Sequence, residues 1–119
     1  MQTKTAAGSY VNRASNFVYT SHGAASSIRL GNNKYESTQF NNRLQPTQIA
    51  LGTTHNGKNL LKLNFGYGTT YNNGNVLSQT ITTPAGGGAP AFTAVQTYTY
   101  DSLNRIQDAT ETVGGSQTW

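Results

Sequence analysis

The chain has 119 residues, no cysteine, and a net charge of +4 from only eight Lys and Arg against four Asp and Glu. Disulfide frameworks and thiolate metal centres are excluded. With no block of basic residues, so is the electrostatic footprint of a nucleic-acid binder. Charged residues make up 10% of the chain, against about 25% in an ordinary soluble domain. Thr, Asn, Gly, Ser and Gln fill the gap, a mix poor in helix formers and rich in strand and turn formers. Seven Tyr and four Phe spread along the sequence argue for packed strands over disorder.

Residues 1–15 carry no periodic pattern and are expected to form a loosely held lead-in. Met1–Gly8 lacks the apolar core of a secretory signal, and no run approaches the length of a membrane-spanning helix. Apolar and polar residues then alternate in the manner of half-buried strands, giving four hairpins at roughly 16–31, 35–51, 60–83 and 92–113. The first is marked by Ser27-Ile-Arg-Leu30 and the second by Thr47-Gln-Ile-Ala-Leu51. Leu61, Leu63, Phe65 and Tyr67 share a face in the third, and Phe92, Ala94, Gln96, Tyr98 and Tyr100 in the fourth. Asn72-Asn-Gly-Asn75 and Ser102-Leu-Asn104 supply turn chemistry, since Asn and Gly tolerate positive φ. Pro84-Ala-Gly-Gly-Gly-Ala-Pro90 is expected as a flexible link, and 114–119 as the start of a further, truncated strand.

A template recurs across these hairpins: an aromatic, a short polar turn, Arg or Asn, then an aliphatic. Tyr98-Thr-Tyr100-Asp101-Ser-Leu-Asn104-Arg105-Ile106 is the fullest copy; Phe40-Asn-Asn-Arg43-Leu44 and Tyr71-Asn-Asn-Gly74-Asn-Val76 are each one residue shorter. The aliphatics Leu44, Val76 and Ile106 stand 32 and 30 residues apart, the interval of a repeat architecture. A lone hairpin is marginal in water, so each unit needs neighbours over its apolar face. The template predicts that the aromatic of each hairpin meets the aliphatic across its own turn, burying Tyr71 and Tyr100.

Tyr98 to Ile106, followed by Ala109, Thr110 and Glu111, resembles the Rhs or YD repeat, whose core is Tyr-Asp-x-x-Gly-Arg-Leu. Asn104 stands in the Gly position, as a left-handed turn allows. Residues 40–49, 71–77 and 19–30 resemble diverged copies. The resemblance implies an all-β fold of antiparallel hairpins forming a curled sheet, one arc of a shell. It implies a secreted or cell-surface location, neighbouring repeats of the same longer chain as partners, and a toxin cargo or surface glycan as a further partner. The family's self-cleaving Asp-Pro motif does not occur.

Catalytic, cofactor-binding and metal-ligating residues are all expected to be absent. His22 and His55 fall in turns without acidic partners and are expected as exposed turn residues. Asp101 is expected to cap its turn, with the stem of Arg105 over an aromatic and Arg43 repeating that role. Gly86-Gly-Gly88 lacks the Lys-Ser/Thr of a phosphate loop. Three roles compete: a non-enzymatic structural repeat, a β-sheet module presenting Tyr, Asn and Thr to a glycan or protein, and a membrane β-barrel fragment suggested by Leu61–Tyr67. Open sheet edges predict self-association of the isolated chain.

Overall fold

A computed structural model describes all residues, Met1–Trp119. It contains no helix. The strands are β1 (Gln2–Lys4), β2 (Tyr10–Asn12), β3 (Ala14–Tyr19), β4 (Ala25–Leu30), β5 (Tyr35–Phe40), β6 (Pro46–Gly52), β7 (Leu61–Gly66), β8 (Ser78–Thr83), β9 (Phe92–Tyr100), β10 (Ile106–Val113) and β11 (Ser116–Gln117). β1 and β2 form a separate ribbon. The other nine make one open antiparallel sheet in the order β11-β10-β9-β8-β7-β6-β5-β4-β3. Each strand therefore pairs only with its sequence neighbours. The fold is all-β, a curled meander of antiparallel hairpins, as the alternation predicts.

The sheet is a single layer. Its radius of gyration is 17.7 Å, whereas a compact domain of this length has about 13–14 Å. The chain's smallest dimension, with the β1–β2 ribbon included, is 25 Å, more than the roughly 10 Å of one flat sheet layer, in keeping with a sheet that twists and curls. Only Ser27, Ser37, Ala50, Gly52, Tyr67 and Ala94 are buried. The registers Ile49↔Leu63, Leu63↔Ile81 and Ile81↔Ala94 run one apolar row across four strands, joined by Leu51↔Leu61. Apart from Ala94, these side chains remain half-buried, because no second layer lies over them.

Five of the chain's reversals are one structure. In each, the first residue's N–H donates to the carbonyl four residues on, and the fourth residue's N–H donates back to the first carbonyl. The pairs are Thr5/Ser9, Thr20/Ala24, Leu30/Lys34, Asn41/Gln45 and Asp101/Arg105. The fourth position carries positive φ in every case: Gly8 (83°), Gly23 (88°), Asn33 (62°), Leu44 (63°) and Asn104 (61°). This is the three-residue hairpin loop, a type I turn closed by a left-handed bulge residue.

That geometry corrects the sequence template. Leu44 occupies the position of Asn104, and Pro46 that of Ile106; Arg43 matches Leu103 and not Arg105. The copies align without a gap, two residues from where matching the aliphatics places them. Leu44 sits in a turn, Val76 in a loop, and Ile106 at a strand start, so their 30- to 32-residue spacing joins unlike positions. Asn72–Asn75 lies inside an eleven-residue connection from Gly66 to Ser78, which are themselves paired, and does not make a tight hairpin turn.

Two further segments differ from expectation. Residues 1–15 hold the β1–β2 ribbon, whose Thr5-Ala-Ala-Gly8 turn repeats the Thr20-Ser-His-Gly23 spacing; all six of its strand residues are exposed. The glycine link closes the β8–β9 hairpin: Gly86 and Ala89 exchange backbone hydrogen bonds around Gly87 (φ 58°) and Gly88 (φ 85°), the paired positive φ of a type I′ turn. Gly114 and Gly115 do the same between β10 and β11, folding 116–119 back along β10.

Candidate functional site

The reversals Thr20–Ala24, Asn41–Gln45, residues 67–77 and Asp101–Arg105 all lie on one edge of the sheet, since they follow β3, β5, β7 and β9. This rim gathers most of the residues singled out by sequence.

Two of these turns are fixed by their first side chain. Asn41 Oδ1 accepts the N–H groups of Arg43 and Gln45, at 2.9 and 3.0 Å. Asp101 Oδ1 accepts those of Leu103 and Arg105, at 2.8 and 3.0 Å. The expected turn-capping role of Asp101 is met by this geometry. Arg105 differs from expectation: its guanidinium Nε lies 2.7 Å from Asp101 Oδ2 and its side chain is 73% exposed, so it pairs with its own turn and not with an aromatic. The backbone N–H of Arg105, followed by its guanidinium, holds the Asp101 carboxyl below its ordinary pKa. Glu111, on β10, is lowered by the Gln96 amide at 2.8 Å and then by the Thr118 hydroxyl.

The 67–77 connection is pinned at both sides. Asn72 exchanges amide hydrogen bonds with Gln45 at 2.8 and 3.0 Å, and its carbonyl accepts from the Arg43 guanidinium at 2.6 Å. On the opposite side, Asn73 and Asn75 both donate to Asn104 Oδ1, at 2.9 and 3.0 Å. Asn104 thus supplies the left-handed turn position and an acceptor that Gly could not offer. Gly74, at φ 100°, lets the chain turn between these anchors.

Aromatics at the ends of alternate strands reach backwards, from one hairpin to the one before. Tyr67, just past β7, donates to the Pro46 carbonyl at the start of β6 at 2.9 Å. Tyr100, ending β9, donates to the Val76 carbonyl ahead of β8 at 2.7 Å. Phe40, ending β5, meets the His22 ring edge-on at 5.1 Å. In the fourth hairpin these contacts stand beside the expected within-hairpin pairing, since Tyr100 and Ile106 are register partners across their own turn; in the second the partner of Phe40 is Pro46 and not Leu44, and Tyr71 and Val76 lie in the connection, outside any strand. Tyr100 is half-buried as expected, but Tyr71 is 89% exposed, because Tyr67 takes the position that the template assigned to it. Burial of Tyr67 raises its phenol pKa. The signal available in sequence was the face shared by Leu61, Leu63, Phe65 and Tyr67.

Between the Asn41–Arg43 turn and the start of the connection lies a shallow depression of about 350 Å³, lined by Asn41, Asn42, Arg43, Gly68, Thr69, Thr70 and Asn72, with no apolar member. A second, of about 560 Å³, adjoins it on the other side of the turn and includes His22, Phe40 and Leu44. His22 and His55 are both exposed, and no three His, Asp or Glu side chains gather as a metal site. Tyr98 hydrogen-bonds Gln96 on the apolar face at 2.7 Å.

No family model matches the chain, and no curated protein matches it. Function therefore rests on the geometry and on the motif resemblance.

Proposed function

We propose that this chain is a non-enzymatic structural segment of an Rhs/YD-type repeat protein, secreted or displayed at a cell surface. In this reading, its hairpins extend a curved β-wall whose neighbours are further repeats, and whose inner side encloses a cargo. The observation that carries the reading is the single-layer meander with backward-reaching aromatics. Sheets normally bury their apolar face against another layer; here the sheet gains its order from successive hairpins alone, the energetic pattern of a repeat protein. β3 to β8 and β10 have six to eight residues, short of the 9–11 that a membrane barrel uses, and β9 alone reaches nine.

The test compares this chain with one extended through the adjoining reading frame on both sides, scoring protease resistance and binding of a hydrophobic dye. The reading expects the frame to continue Tyr-Asp repeats and the longer protein to lose dye binding per hairpin. A 119-residue chain that binds no dye and resists proteolysis equally well would sink it.

A second reading is favoured by one specific site, the polar depression beside Tyr71. The amides of Asn41 and Asn72 are already held by internal hydrogen bonds, leaving Asn42, Thr69 and Thr70 to meet a polyhydroxylated ligand, with the exposed ring of Tyr71 next to Thr70 in sequence. Arg43 is its only charge, which suits a neutral saccharide. Tyr71→Ala leaves the fold intact and abolishes binding of neutral oligosaccharides in a titration followed by NMR; shifts that persist in the variant would refute the site.

A further inference from the structure

Asn-Gly occurs twice in the chain, at Asn56–Gly57 and at Asn73–Gly74. This dipeptide carries its own electrophile and nucleophile, a side-chain carboxamide and the backbone nitrogen after it, and glycine has no side chain to shield that nitrogen. The two copies are held differently. In the 67–77 connection, the Asn73 amide donates to Asn104 Oδ1 at 2.9 Å, and Asn73 Oδ1 accepts the Asn75 N–H at 3.1 Å. The Gly74 N–H donates to Asn72 Oδ1 at 3.0 Å. Both reacting groups are thus pinned to the rim. Asn56 lies on the opposite edge of the sheet, in the reversal between β6 and β7, where it is exposed and its carboxamide bonds to no other group of the chain. Only the Gly57 N–H is engaged, by the Thr54 carbonyl of the same exposed turn at 2.8 Å.

We propose that Asn56 is a site of spontaneous covalent modification, and that the rim protects Asn73 from the same reaction. The Gly57 nitrogen bonds to Asn56 Cγ as the bond from Cγ to Nδ2 breaks; the glycine's proton ends on the departing nitrogen, which leaves as ammonia. Water, the only co-reactant, then opens the succinimide at either carbonyl and leaves aspartate or isoaspartate. Either product adds one negative charge to a chain of net charge +4. Isoaspartate also routes the main chain through the side-chain carbon, one methylene longer, just ahead of Gly57. Gly52 and Gly57 pack with no room for even a methyl group between them. Close by, Asn59 Oδ1 accepts the Thr53 N–H at 3.0 Å. The longer backbone breaks this packing, while the β6/β7 ladder, which begins at Leu51 and Leu61, lies outside the altered stretch. Before attack, Asn73–Gly74 must open two hydrogen bonds more than Asn56–Gly57, which sets their protection about thirty-fold apart.

The test incubates the full chain in mildly alkaline buffer and follows amide-to-acid conversion at both sites by peptide mapping and mass spectrometry. Each rate is taken relative to the same site in guanidinium chloride, which removes the intrinsic difference between the two sequences. The expected result is a relative rate at Asn56 about thirty-fold above that at Asn73. Asn104→Gly keeps the left-handed turn and removes one bond over Asn73; it is expected to speed Asn73 about five-fold and leave Asn56 unchanged. General destabilisation would speed both sites, so Asn56 serves as the internal control. Equal relative rates in the folded chain, or no conversion at Asn56, would overturn the proposal. An Asn73 rate that does not respond to Asn104→Gly, or rises only in step with Asn56, would overturn the protection by the rim.

Discussion

Leu44 tests whether the five turns share one backbone. It alone among their fourth residues is neither Gly nor Asn, and it holds φ at 63°. A left-handed conformation costs an ordinary L-residue about 1–2 kcal/mol, and Asn escapes part of that. The Leu side chain is 56% exposed; burying the remainder contributes about 1 kcal/mol, a little under half of the 1.5–3 kcal/mol assigned to full burial. Leu44→Asn therefore loses the burial and regains the strain, for a net change near zero. Leu44→Ala loses the burial and keeps the strain, so it falls about 1 kcal/mol below both the parent and the Asn variant. In thermal unfolding that gap is about 4 °C for a chain of this size. Equilibrium urea unfolding of the three proteins at one concentration measures it directly. Asn no better than Ala would mean that the side chain alone matters at position 44, and the shared turn would be refuted.

The remaining predictions concern the same rim. Asp101→Asn converts its turn to the chemistry that Asn41 already uses, and the effect depends on pH. The folded-state pKa of Asp101 is depressed, so its stabilisation is present above the unfolded value, about 4, and is lost as pH falls through the folded value. The parent therefore loses this contribution on acidification, while the Asn variant does not; identical acid profiles would count against the pairing with Arg105. Asn104→Gly keeps the left-handed turn and loses two exposed hydrogen bonds, for about 1 kcal/mol. Asn104→Ala loses the same bonds and adds the backbone strain, about 1 kcal/mol more, both measurable by urea unfolding. In NMR spectra of either variant, the amide signals of Asn73 and Asn75 are expected to shift, reporting release of the connection.

The hairpins were legible because alternation is a direct consequence of a half-buried strand, and each was found to within two residues of its observed limits. The turns were legible in chemistry but not in alignment. Asp101-x-x-Asn104, Thr20-x-x-Gly23 and Thr5-x-x-Gly8 share one spacing, and comparing them would have revealed the β1–β2 ribbon. Leu44 hid the pattern, because nothing local in a leucine announces a left-handed backbone; the neighbouring strands impose it. The choice between Tyr67 and Tyr71 was equally non-local. Both are tyrosines near turn residues, and only the β6–β7 register decides which one meets the Pro46 carbonyl.

Coupling along the sheet is uneven, and this decides how it comes apart. Hairpins two, three and four are joined twice over. Their strands pair, and the 67–77 connection ties the Asn41–Gln45 turn to the Asp101–Arg105 turn through Asn72, Asn73 and Asn75. Tyrosine hydroxyls at 67 and 100 add a third link at each junction. The junction between hairpins one and two has none of these side-chain hydrogen bonds. β4 meets β5 over only three residue pairs, Ser27↔Ser37, Ile28↔Glu36 and Arg29↔Tyr35, and the aromatic contact there is His22 against Phe40. In a nearest-neighbour array, the weakest junction sets where local opening begins. Hydrogen exchange should therefore divide the molecule near residue 33, with β3 and β4 exchanging well before β5 through β10. Uniform protection across that boundary would mean that the ladders alone hold the sheet, and that the asparagine rim contributes nothing to its cohesion.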